Sequence, residues 1–69
     1  MKTSRATLLS LIARAESAIG LGDFDVAATL IADARAQAHA AYPAKFAQEA
    51  LVDLARLRVE LTLAARVAA

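Results

Sequence analysis

The sequence predicts an all-α protein: an antiparallel helical hairpin followed by a long third helix that joins two copies of the chain. Three observations carry this. From Pro43 onward, small and apolar residues fall at Ala47, Ala50, Leu54, Leu57, Leu61, Ala64 and Ala68. That alternation of threes and fours keeps one stripe of a helix turned toward a partner helix. The chain is punctuated twice, by Gly20-Leu21-Gly22 and by Ala41-Tyr42-Pro43, which divides it into three helical segments. Finally, 69 residues make a single small domain, and much of its 59% apolar content is alanine, which buries little area per residue. A core that thin gains from a second copy.

The first helix is expected over about residues 4–19, with Thr3 or Ser4 offering a hydroxyl to cap it. Leu8, Leu11, Ile12, Ala15 and Ile19 recur on one face, and Leu21 between the two glycines is placed to fold back as an apolar cap. Met1 to Arg5 before the apolar run Ala6–Ala13 also has the outline of a targeting segment, but Arg14 cuts the run short, which favours an ordinary first helix. Asp23 is a good N-cap for the second helix, expected over about 24–41 with Ala27, Leu30, Ile31, Ala34 and Ala38 inward. Asp25 near its start and Arg35 and His39 near its end suit the helix dipole. The residue before a proline is steered away from helical angles, so a tight second turn is expected, with a kinked continuous rod as the alternative. The third helix is expected over about 43–67, Pro43 suiting its first turn.

Composition narrows the functions. There is no cysteine, hence no disulfide or thiolate metal site, and a cytoplasmic setting is expected. The net charge is +1, with the eight basic residues scattered among seven acids, so no stripe follows a phosphate backbone. No apolar run is long enough to cross a membrane. His39 is the sole histidine, the serines lack a His/Asp constellation, and the two glycines form no phosphate loop. No catalytic residue, metal ligand or cofactor is expected.

What remains is residues suited to gripping other proteins. Aromatic and arginine side chains dominate interface energetics, and Arg35, His39, Tyr42, Lys45 and Phe46 cluster around the second turn. These five form the expected partner-binding set, against the plainer alternative that Phe46 plugs the core and Tyr42 covers the turn. Along the third helix, Val52, Val59 and Leu63, with Ala55, make a second apolar stripe beside the Leu54/Leu57/Leu61 seam. The expected dimer interface is Leu54, Leu57, Val59, Leu61 and Leu63. Glu49, Asp53, Arg56 and Glu60 form a charged strip that reads as a solvated face, or as a competing partner surface together with Arg58.

Residues 11–38 resemble a single tetratricopeptide-type helical hairpin. The likeness lies in Leu11 and Ala15, in the turn Gly22-Asp23-Phe24, and in Ala27 and Ala34. It implies two closely approaching helices, an aromatic plug at the turn, and protein binding. The chain departs from that pattern at Arg14, where an apolar residue is usual, at His39, where proline is expected, and in having no second copy of the repeat. Pro43-Ala44-Lys45-Phe46 is similar to the proline–aromatic turn of some small co-chaperones of type III secretion needles. In size and composition the chain is also similar in kind to small phage-encoded inhibitors of host regulators. The expected function is therefore non-enzymatic: a helical protein that binds a partner and inhibits, sequesters or escorts it. The alternatives are a co-chaperone or assembly subunit and, less favoured, a DNA-binding regulator.

Overall fold

A computed structural model describes residues 5–41 and 43–68. The described residues form three helices and no strand: α1, Arg5–Leu21; α2, Phe24–His39; and α3, Ala44–Ala68. The capping residues expected at Thr3 or Ser4, and Tyr42, lie outside the described residues.

α1 runs two residues further than expected, through Gly20 and Leu21. Gly22 then adopts φ +79°. Its N–H donates to the Ile19 carbonyl at 3.1 Å and the Asp23 N–H to the Ala18 carbonyl at 2.9 Å. This pair is the Schellman closure, which satisfies carbonyls that a helix end would otherwise leave unbonded. The expectation that Leu21 folds back as a cap is not met: Leu21 is 77% exposed, because the backbone bonds around Gly22 already close the helix. Asp23 occupies the N-cap position of α2, yet its carboxylate makes no capping bond there. Its backbone carbonyl starts the helix instead, accepting from the Ala27 N–H at 2.9 Å.

α2 stops at His39, two residues earlier than expected, and the chain turns before α3 rather than continuing as a kinked rod. Pro43 lies just outside α3, its carbonyl accepting the first helical bond from the Ala47 N–H at 3.1 Å. A proline there has no N–H to leave unsatisfied.

The core is one apolar cluster drawn from all three helices. α1 contributes Leu8, Ile12, Ala15 and Ala18, with Leu11 and Ile19 half-buried; α2 contributes Ala27, Leu30, Ile31, Ala34 and Ala38. α3 contributes Phe46, Ala50, Leu54 and Leu57, with Ala47, Leu51 and Leu61 packed against them. Alanines at the α1–α2 contact let the two backbones approach closely. The long dimension of 39 Å is the length of α3 itself, since 25 residues at 1.5 Å each span about 37 Å. The hairpin helices are about 25 Å long, so the last turns of α3 project beyond it. Val67, near that end, is 88% exposed.

Candidate functional site

The core uses only part of α3's apolar surface. Leu54 and Leu57 are 2% and 0% exposed, and Leu61 is half-buried against the same cluster. Val59 and Leu63 are 59% and 54% exposed, and Val52 also stands in solvent. The five residues expected at a dimer interface are therefore divided. Leu54 and Leu57 pack inside one chain, where α1 and α2 cover them. Val59 and Leu63 remain uncovered.

Those two residues open onto a groove of about 630 Å³ between α2 and α3. Ile31, Leu51, Leu54, Ala55, Val59 and Leu63 give it an apolar lining. Arg35 and His39 on α2 and Arg58 and Arg66 on α3 complete the wall with Thr62. The Thr62 hydroxyl donates to the Arg58 carbonyl at 3.0 Å, so it is already engaged within its own helix. Ala28 and Ala32 stand on the same side of α2 as Arg35 and His39, at helical spacing, and both are exposed.

The charge is one-sided. Among the described residues three arginines and no Asp or Glu line the groove, a formal +3 with His39 counted neutral. Among the described residues Arg35, Arg58 and Arg66 have no carboxylate partner. The acids of α3 lie on its other side: Glu49, Asp53 and Glu60 share a face with Arg56. From that face Arg56 reaches α1, pairing with Glu16 at 3.8 Å as well as with Glu60 at 3.1 Å. The bridge from Arg56 to Glu16 ties α1 to α3.

The residues expected to grip a partner are likewise sorted by the fold. Arg35 and His39 reach the groove. Lys45 sits instead over a shallow depression on the outer side of α3, with Gln48, Glu49, Val52 and Asp53. Phe46 is buried in the core, and the Arg5 guanidinium covers its ring at 5.1 Å from the centroid, an attractive cation–π placement. It is a core plug. Sequence reasoning did not group Arg58 and Arg66 with Arg35. Their i, i+8 spacing on α3 was a signal, but only the crossing of α2 shows which side they share.

Among the described residues no three His, Cys, Asp or Glu side chains gather where they could hold a metal ion. No buried side-chain nitrogen or oxygen among them lacks a hydrogen-bond partner, and no described helix is long and apolar enough to cross a membrane. Comparison with family models, with curated proteins and with solved structures finds no match to this chain.

Proposed function

We propose that this is a non-enzymatic protein-binding protein that attaches to a partner protein through the α2–α3 groove and so inhibits, sequesters or escorts it. The observation behind this reading is the groove itself: aliphatic side chains left in water beside arginines that have no carboxylate partner among the described residues. Unpaired arginines next to exposed apolar surface match the composition of interface hot spots. A nucleic acid is a poorer fit, because phosphates gain nothing from an aliphatic lining and the rest of the surface carries most of the acids. Escort of a secreted subunit and inhibition of a regulator both use such a surface.

A photo-crosslinking amino acid in place of Leu63, introduced in the native cell, tests this. The expected product is a discrete adduct with a different protein, absent when the crosslinker replaces Ser17 on the exposed side of α1. Adducts of twice the chain mass alone would assign the groove to a second copy. No adduct from Leu63 would remove it as a docking site.

A further inference from the structure

Resting on that reading of the groove, we infer the chemistry of its occupant: an acidic amphipathic helix that lies between α2 and α3 as a fourth helix. Three features of the surface select it. The lining is aliphatic, with Val59 and Leu63 more than half exposed, so the occupant must present an apolar stripe. Ala55 keeps the α3 wall low, which lets a helix backbone approach closely, as small residues do at helix–helix contacts. The rim charge is cationic and, among the described residues, meets no carboxylate, with Arg35 on one wall and Arg58 and Arg66 on the other. A helix with Asp or Glu flanking its apolar stripe on both sides meets both walls.

A second copy of this chain fits less well. A symmetric dimer closing groove on groove brings both sets of Arg35, Arg58 and Arg66 together, and like charges at an interface are a strong selector against a partner. Among the described residues no helix offers an exposed apolar stripe flanked by acids on both sides. On α3 the acids Glu49, Asp53 and Glu60 flank one side only. The length of the occupant also follows. From Leu51 to Arg66 the wall spans 15 steps of α3, about 22 Å, which corresponds to a helix of about four turns.

The test uses the full chain and two labelled synthetic peptides of about four helical turns. Both carry leucines at i, i+3, i+7 and i+10 on alanine; the flanking positions are Glu in one peptide and Lys in its twin. Binding is read by fluorescence anisotropy at low and high salt, alongside a labelled single-stranded oligonucleotide. The Glu peptide is expected to bind at least about tenfold more tightly than the Lys twin at low salt, with the gap narrowing as salt screens the rim. The Arg35→Glu/Arg58→Glu double variant is expected to reverse that order, and its circular dichroism should match the parent because both side chains are exposed.

Equal binding of the twins, lost for both in Leu63→Asp, would overturn the acidic occupant while leaving groove docking intact. Binding of the oligonucleotide in preference to either peptide would replace a helical occupant with a nucleic acid. Failure of both peptides would overturn the helix, and the Leu63 crosslink then decides separately whether the groove docks any protein.

Discussion

The division of leucines on α3 makes a quantitative prediction. Leu57 is fully buried and Leu63 is 54% exposed, although both are among the residues expected at one dimer interface. Truncating a buried leucine to alanine removes its transfer free energy and leaves a cavity, which costs about 2–5 kcal/mol. Leu63 hides a little under half of its surface. Half of the ~1.5–3 kcal/mol for full burial is about 1 kcal/mol, and an open site leaves no cavity. Leu63→Ala should therefore cost about 1 kcal/mol or less. A 69-residue domain holds roughly 3–10 kcal/mol in all, so Leu57→Ala leaves the fold marginal and Leu63→Ala leaves it whole. Urea unfolding followed by far-ultraviolet circular dichroism measures both. It should be run at two protein concentrations roughly a hundredfold apart, because the stability of a dimer depends on concentration. If Leu63→Ala costs as much as Leu57→Ala, and the midpoints rise with concentration, a second copy covers Leu63 in solution. The assignment of that face to an acidic partner then fails.

Further outcomes follow from single contacts. Gly22 holds φ +79°, so Gly22→Ala should destabilise by about 1–2 kcal/mol. Gly20 sits within α1 with nothing within 4 Å of an added Cβ, so Gly20→Ala should stabilise by about 0.5–1 kcal/mol; equal signs for the two in thermal melts would contradict the α1 ending described here. Phe46→Ala should cost about 3–5 kcal/mol as a lost core aromatic, and a melting temperature near the parent's would return Phe46 to the surface. Arg56→Gln breaks an exposed bridge to Glu16 and should cost no more than about 1 kcal/mol. Its effect on peptide binding should be negligible beside that of Arg58→Glu, and the reverse ranking in anisotropy would place the grip on the acidic face.

Helical spacing and the two turn signals were enough to specify the helices, the hairpin and most of the core. The inward faces of α1 and α2 follow from helical spacing alone, because an apolar stripe has only one way to turn when water is the alternative. Asp23 was legible as a cap position, though not that its backbone, rather than its carboxylate, does the bonding. Local pattern separated two stripes on α3 without deciding which of them the fold covers. Leu54, Leu57, Val59 and Leu63 all read as apolar surface, and only the placement of α1 and α2 decides which are covered.

The charges show the same limit more sharply. Arg56 and Arg58 are two residues apart in sequence, yet they point to different sides of α3. The fold gives Arg56 to Glu16 on α1 and sets Arg58 beside Arg35 of α2. A net charge of +1 conceals that separation, because a sum over the chain carries no direction. The tertiary structure alone makes one side an acidic bridge and the other a cationic, apolar groove.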